Sequence, residues 1–418
     1  MITVEEALST ILSAFNPLPS SRMSILNTLG QVVAENITSK IDVPSFKNSA
    51  MDGYAINSNS CTKSSPQTPT ILSVLETVGA GETPKDNVSP TTAIRIMTGA
   101  PIPNGADAVV PFENTNETEL LSKNLPLKTI KIFKKVDSGQ YIRSAGEDIS
   151  SGQLIVSKGT VVTPPIIGLL SSIGVKSISV TKKPIVAIIS TGSELIESGS
   201  NLSESKIYDS NQLAISAYVK SCGGIPKQLG IAQDDIKDIS AKIKQGLTAD
   251  MIITSAGVSK GEYDLVKKVL SDFGDIHFWS VRMKPAKPLA FGIINRKNQL
   301  PVPLLGLPGN PVSALIGFHK FGKPAIYKMM NKSVATKQNI VAILEDKIIN
   351  KDNRRIFARV LVYKKNNQYF AKLAGGQGSN LMSTVVNANG LATCPETSSH
   401  MVPGEKISVE IFDWAEIR

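Results

Sequence analysis

The sequence predicts a multidomain α/β plus β protein, and three observations carry that prediction. Between Pro184 and Met330, short apolar runs alternate with segments of helical period, an order that implies a mostly parallel sheet joined by right-handed crossovers. From about residue 30 to residue 145 the chain instead shows short β-rich runs broken by Gly, Pro, Asn and Ser, which predicts a small β-rich lobe. After the polar stretch Asn331–Asn339 the β-type runs return and form a small all-β domain. A chain of 418 residues exceeds what one hydrophobic core organises. The expected division is 1–30 with 145–180 as a helical and β linker, 31–144 as the β-rich lobe, 181–330 as the α/β domain and 331–418 as the C-terminal domain.

The individual elements follow from local signals. Thr3 with Glu6 three residues on predicts a capped amphipathic helix over 3–15. In the lobe, Thr70–Val74, Ala93–Met97 and Ala108–Val110 are the clearest strands, and Pro164–Ser172 and Ser177–Val180 are a Pro-started helix and a strand. Pro184–Ser190 is continuously apolar, as a strand buried on both faces must be. Helices are expected over Asn211–Ser221, Asp235–Gly246, Tyr263–Phe273 and Pro311–Met330, and strands over Pro226–Ile231, Met251–Thr254 and Pro303–Leu307. Ile340–Leu344, Ile356–Tyr363, Tyr369–Leu373 and Lys406–Phe412 are the strands expected after the linker.

Composition excludes several function classes. No apolar run approaches the roughly 20 residues of a spanning helix, and the N-terminus lacks a basic stretch followed by an apolar one, so no membrane association and a cytoplasmic location are expected. Cys61, Cys222 and Cys394 are too far apart for a metal-type spacing, and a disulfide framework is not expected. The formal charge of +10 favours anionic partners. Lys and Arg are nevertheless scattered and aromatics are 5% of the chain, which argues against a nucleic-acid binder. His277, His319 and His400 are too dispersed for a histidine-based metal site or triad.

Three strands of the α/β region run into small-residue turns: Thr191-Gly192-Ser193-Glu194, Ser255 to Glu262, and Leu307-Pro308-Gly309-Asn310-Pro311. In an open α/β sheet the carboxyl ends of the strands face the ligand crevice. Glycine lets backbone N–H groups approach a phosphate, and a following helix N-terminus favours an anion. One such turn is ordinary loop chemistry; three on one sheet edge point to a phosphate or nucleotide site. Thr191, Gly192, Asp209, Asn211, Ser255, Gly257, Ser259, Gly261, Pro308, Gly309 and Asn310 are the substrate-binding candidates on these turns and the neighbouring Tyr208-Asp209-Ser210-Asn211 segment. Glu194, Asp209, Asp234 with Asp235, and Glu262 with Asp264 recur beside them. Carboxylates next to phosphates suggest a hard divalent ion such as Mg²⁺, although Asp235 reads equally as a helix N-cap.

Lys284-Pro285-Ala286-Lys287-Pro288 is the most unusual local string. Its two prolines predict a polyproline II segment, which would put both lysines on one face with Cα atoms roughly 9 Å apart, from a rise of ~3.1 Å per residue. Two ammonium groups on one face could hold a small oxyanion; the bland alternative is a solvated basic loop.

Taken together and in order, these segments resemble the molybdopterin molybdenumtransferases, the family that includes the gephyrin E domain. The resemblance runs through Met51–Ala55 (MDGYA), Met97–Pro103 (MTGAPIP), Gly105–Val110 (GADAVV), Ala145–Ile149 (AGEDI) and Ser190–Leu195 (STGSEL). It continues through Tyr208–Asn211 (YDSN), Gly257–Asp264 (GVSKGEYD), Lys284–Pro288 (KPAKP) and Leu307–Ala314 (LPGNPVSA). It implies a doubly wound α/β domain that binds the pterin nucleotide, a C-terminal small β-barrel and a homodimer. The implied reaction inserts molybdate, or tungstate, into adenylyl-molybdopterin and releases AMP and molybdenum cofactor, assisted by Mg²⁺ or a similar divalent cation. Transient contact with the adenylyltransferase and with apo-molybdoenzymes is implied as well.

Carried over by motif, Lys284, Lys287, Ser313, Arg359 and Ser379 would contact molybdate. Asp52, Thr98, Asp148, Glu194, Asp234 and Asp264 would serve the catalytic cleft, with Glu194, Asp234 and Asp264 on the metal. The chain departs from the usual pattern at Ser193, where Asp is common, and at Ala256 and Ala286, where Gly is common. Two other functions share parts of this pattern. Adenylylation of the pterin by ATP uses a similar α/β domain but in enzymes without the extra domains, and a gephyrin-like scaffold would need a receptor-facing module.

Overall fold

The computed structural model describes residues 1–255, 269, 272–296, 300–333 and 339–417. The first helix, α1 (Val4–Ser13), is closed by the expected capping box: Glu6 N–H donates to Thr3 Oγ1 at 3.1 Å and Thr3 N–H to Glu6 Oε2 at 2.7 Å. Val4, Ala7 and Ile11 fall on one face and are buried, each larger side chain contributing roughly 1.5–3 kcal/mol of burial.

The chain forms two units, one of Met1–Met23, Thr28–Ala34 and Ser179–Arg418, the other of Ser24–Asn27 and Glu35–Ile178. In the second unit, β1 (Gly53–Ile56), β2 (Thr70–Val78), β3 (Thr92–Ile96), β4 (Ala108–Pro111) and β5 (Thr129–Ile132) make a sheet of order β4-β1-β3-β2-β5. Gly53 is required where β1 meets β4, because a Cβ there would lie 2.0 Å from the Val110 carbonyl oxygen. A carboxylate is buried in this unit: Glu117 accepts from Tyr54 Oη at 2.5 Å and from Arg95 Nη2 at 2.7 Å. Burial drives the Tyr54 phenol far above its ordinary range, with Glu117 adding to the effect. Helix α2 (Pro164–Ser172) starts on Pro as expected.

The first unit holds β6 (Ile185–Thr191), α3 (Asn211–Cys222), β7 (Ile225–Ala232), α4 (Ile236–Gly246), β8 (Met251–Ser255), β9 (Gly274–Ser280), β10 (Pro288–Ile294) and β11 (Val302–Leu307). The sheet order is β7-β6-β8-β11-β10-β9; β7, β6, β8 and β11 are parallel, and β10 and β9 run antiparallel. The continuous apolar runs are explained by burial on both faces. Val186, Ile188, Met251, Ile253 and Leu305 pack with α3 and α1, whereas Ala187, Ile189, Ile252 and Leu304 pack with Ile239 and Ile243 of α4. The antiparallel pair β9 and β10 was not legible in the sequence: β9 alternates only weakly in burial, and Gly292 interrupts β10.

The helix expected over Pro311–Met330 is three pieces: α5 (Pro311–Gly317), a wide turn over Phe318–Gly322, and α6 (Lys323–Met329). Pro324 explains the interruption. In a regular helix its ring would collide with the carbonyl of Lys320, and the wider turn removes that clash. The remaining strands are β12 (Ile340–Leu344), β13 (Arg355–Lys365), β14 (Gln368–Leu373), β15 (Gly390–Cys394) and β16 (Lys406–Ile411). Their pairing in the order β13-β14-β12-β16-β15 and back to β13 closes a small barrel. The barrel has its own core around Leu344, Val360 and Val409, yet Phe357, Leu391 and Phe412 pack into the core of the α/β layer. Cys61, Cys222 and Cys394 are free and buried. Among the described residues no helix is long and apolar enough to cross a membrane.

Candidate functional site

The expected polyproline II geometry at the lysine segment is not what forms. The Lys284–Pro285 peptide bond is cis, Ala286 has φ +69°, and Val281 N–H donates to Lys287 O at 2.8 Å, closing a tight loop. Two tertiary contacts account for this shape. Met283 and Lys284 pair in parallel with Arg355 and Ile356 at the start of β13, and the Ala286 methyl is buried in the α/β core. The lysines still share one cavity, for a reason the local sequence does not contain: the loop is folded against the barrel.

That cavity, of about 490 Å³, is lined by Lys284 and Lys287 of the loop, Pro308, Asn310 and Ser313 at the start of α5, and Arg354 and Gln377 to Ser379 of the barrel. Ser313 lies in the first turn of α5, and Val312 N–H donates to Ser379 O at 3.1 Å, fixing the barrel loop to the helix start. The cavity therefore presents three cationic side chains and two hydroxyls at a helix N-terminus, a combination suited to a small tetrahedral anion. Among Arg354, Arg355 and Arg359 the sequence does not decide which arginine reaches this cavity; the place of Arg354 at the start of a β13 that pairs with Lys284 is the signal, and it is tertiary.

Arg359 does not line this cavity but a smaller one of about 110 Å³ that Lys284, Pro285 and Gln377 also border. It is 1% exposed, and its side chain donates to Thr384 Oγ1 at 2.9 Å, Gly376 O at 2.9 Å and Gly378 O at 3.0 Å. Gln377 completes the brace, accepting from Arg359 N–H at 2.9 Å and donating to Arg359 O at 3.2 Å. Arg359 thus holds the Gly376–Ser379 loop from beneath. Burial pulls its guanidinium down to about 10, because every acceptor it meets is neutral.

The turns at the carboxyl ends of the parallel strands converge beside this cavity. Asp209 Oδ1 accepts from the N–H groups of Asn211 at 3.0 Å and Gln212 at 3.1 Å, so its carboxylate caps α3. Asn211 Nδ2 donates to Gly309 O at 2.7 Å and ties α3 to the Pro308–Asn310 turn. Ser190 and Ser255 share a hydroxyl hydrogen bond of 3.0 Å. Thr191 Oγ1, Thr254 Oγ1 and Asn211 Oδ1 are buried without a partner among the described residues. Unsatisfied buried polar atoms are costly; Thr191 and Thr254 stand at the ends of neighbouring strands and Asn211 opens α3, which makes this edge a candidate ligand site.

Gly192 has φ +140°, and Glu194 folds over it, its carboxylate 2.4 Å from where a Cβ would stand. Ser193 N–H donates to Asp234 Oδ2 at 2.9 Å and Asp234 N–H to Ser193 Oγ at 3.2 Å, which locks the two turns together. Glu194 and Asp234 are both exposed on these adjoining turns. Among the described residues no group of three or more His, Cys, Asp and Glu side chains is assembled as a metal cage. Gly257, Ser259, Gly261 and Asp264 lie outside the described residues, as does most of the helix expected over Tyr263–Phe273.

In the other unit, Asp52 and Thr98 are brought together: Thr98 N–H and Oγ1–H donate to Asp52 Oδ1 at 2.7 and 2.8 Å. These bonds, the backbone one first, hold the Asp52 carboxyl below its usual range. Asp107 is engaged by Ser58, whose N–H and hydroxyl donate to it at 2.6 and 2.8 Å. Asp148 is exposed on a loop whose backbone bonds to Val43 O at 3.0 Å.

Comparison with known proteins matches this architecture along nearly the whole chain. Residues 2–174 match the MoeA N-terminal region (domain I and II), residues 187–328 a probable molybdopterin binding domain, and residues 341–412 the MoeA C-terminal region (domain IV). A molybdopterin molybdenumtransferase of Haemophilus influenzae is 32% identical over 417 residues, covering 99% of both chains. Molybdopterin molybdenumtransferase 2 of Mycobacterium tuberculosis is 33% identical over 387 residues, 91% of this chain and 92% of the relative. The crystal structure of a molybdopterin biosynthesis MoeA protein from Pyrococcus horikosii superposes with a TM-score of 0.82 at 30% identity, covering 99% of each chain. With all three regions matched in order along the chain, it belongs to the MoeA family of molybdopterin molybdenumtransferases.

Proposed function

We propose that this chain inserts molybdate into adenylyl-molybdopterin, releasing AMP and molybdenum cofactor. The observation that carries the reading is the cavity in which Lys284, Lys287, Arg354, Ser313 and Ser379 meet, next to the unsatisfied polar edge at Thr191, Thr254 and Asn211. The cationic cavity takes the oxyanion, molybdate or tungstate. The turn amides and the hydroxyls of Thr191 and Thr254, with Asn211 and Ser255, take the nucleotide and its phosphates. Positioning the two substrates side by side makes their encounter effectively intramolecular and so contributes to rate. The pterin dithiol replaces one molybdate oxygen, which leaves as water with the two thiol protons. Water cleaves the P–O–P linkage to give AMP and the pterin phosphate. A single-turnover measurement of AMP release with purified protein, adenylyl-molybdopterin and each oxyanion tests the whole reading; oxyanion-independent release would sink it.

Glu194 and Asp234, with Asp264, are the ligands we assign to a divalent ion of the Mg²⁺ type. The donor set fits, since Mg²⁺ in phosphate sites is held through one or two carboxylates plus substrate phosphates, without a preformed protein cage. Bound there, it supplies charge neutralisation to the departing phosphate. Asp234→Asn is expected to raise the Mg²⁺ concentration for half-maximal AMP release by about tenfold; activity in EDTA equal to that in Mg²⁺ would eliminate the assignment.

We further propose a cytoplasmic homodimer whose active site takes Asp52, Thr98 and Asp107 from one subunit and Glu194 to Ser313 from the other. A two-fold contact places the same pair of surfaces at both sites. The check is subunit complementation. Asp52→Ala and Lys284→Ala homodimers should each be inactive. After mixing and re-annealing, activity should return to about a quarter of wild type, because half the dimers are mixed and each has one intact site. Demonstrated subunit exchange with no recovery, or an active monomer, would remove the shared site.

A further inference from the structure

The oxyanion cavity has a fourth charged neighbour. Asp352 stands on the bend between Ile348–Ile349 and β13, where Arg354 Nη2 forms an ion pair with its Oδ2 and Lys284 Nζ lies 4.0 Å from the same oxygen. Among the described residues no other carboxylate pairs with Lys284, Lys287 or Arg354. Hydrogen bonding to Arg354, then the charges of Arg354, Lys284 and Lys287, hold the Asp352 carboxyl below its ordinary range, so it is an anion at neutral pH. The three cations of the larger cavity and this one carboxylate together carry a formal charge of +2, opposite and equal to that of a tetrahedral dianion, while Lys347 and Arg359 line the smaller cavity that Lys284 also borders.

We propose that Asp352 is a specificity-determining residue that sets this charge match. The inference rests on the cavity being the oxyanion site. With Asp352 in place the cluster favours more highly charged anions such as polyphosphates over a dianion by less than three cations alone would. Without it the cluster carries +3, and every anion binds more tightly in proportion to its own charge, because the Coulomb energy is linear in that charge. Asp352 is exposed, and apart from Arg354 and Lys284 it has no side-chain partner among the described residues, so its replacement leaves the barrel core untouched.

The test is equilibrium binding of perrhenate, molybdate and pyrophosphate to the full chain, as wild type, Asp352→Asn, Asp352→Ser and Lys284→Ala. The expected result is that both Asp352 variants tighten the three anions by about threefold, tenfold and thirtyfold respectively, a logarithmic slope proportional to charge. Affinity that is unchanged or weaker in both variants, or tightened equally for all three anions, overturns the inference. The wild-type comparison with Lys284→Ala separates the two levels. If Lys284→Ala leaves molybdate binding unmoved, the cavity is not the oxyanion site and the inference falls with it. If Lys284→Ala weakens molybdate but the Asp352 variants show no charge-dependent gain, only the inference falls.

Discussion

Alanine at both Lys284 and Lys287 is expected to abolish molybdate-dependent AMP release while leaving adenylyl-molybdopterin binding within about threefold of wild type. Both lysines are exposed on the loop, Lys284 with 49% of its side chain accessible, so removing them costs little stability. What they supply is charge at the cavity wall. Each cation about 4 Å from a dianion contributes on the order of 2 kcal/mol even with water-like screening, and the pair together about a thousandfold in oxyanion occupancy. The nucleotide edge, built from Thr191, Asn211, Thr254 and the Pro308–Asn310 turn, holds neither residue. Single-turnover AMP release and direct binding of the adenylylated pterin separate the two effects. Equal loss of both would show that the lysines bind nucleotide.

Arg359→Ala should lower stability by about 3 kcal/mol, since it strands the Gly376 and Gly378 carbonyls and the Thr384 hydroxyl beneath the loop. Below the melting temperature the same variant should raise the KM for molybdate by about tenfold or more, because Ser379 and Gly378 lose their support at the cavity wall. Arg359→Lys keeps the charge but has no planar fork to reach three acceptors, and should recover part of the stability and little of the KM. A direct anion contact predicts the opposite ranking, with lysine restoring most of the molybdate affinity. Thermal melting and a KM-against-kcat comparison across the two variants decide between a positioning role and a contact role.

Much of the architecture was legible along the chain because it depends on local period and local punctuation. The Thr3–Glu6 pair specified the start of α1, Pro164 the start of α2, and Asp235 the cap of α4, whose N–H donors at Lys237 and Asp238 it accepts at 3.1 Å. The apolar run at Ile185–Thr191 announced a strand buried on both faces. The break at Phe318–Gly322 was also written locally, in Pro324, and went unread within an otherwise helical pattern. The motifs at Thr191–Glu194 and Leu307–Pro311 marked the sheet edge where the unsatisfied polar atoms gather.

By itself, then, the sequence determined the order of the matched regions, the strands and helices with strong period, the turns at the sheet edge, and the presence of two lysines on one short loop. Only the tertiary structure decided how those lysines are held, which arginine joins them and which one braces the loop behind. Lys284 and Lys287 meet through a cis bond and a left-handed Ala286 that the barrel and the core impose, not through the extended helix their prolines suggest. Arg354 and Arg359 are five residues apart on one stretch of chain, yet one opens on the cavity and the other is buried under it. No local rule separates them, because a guanidinium's role is fixed by the acceptors that long-range packing brings within about 3 Å of it.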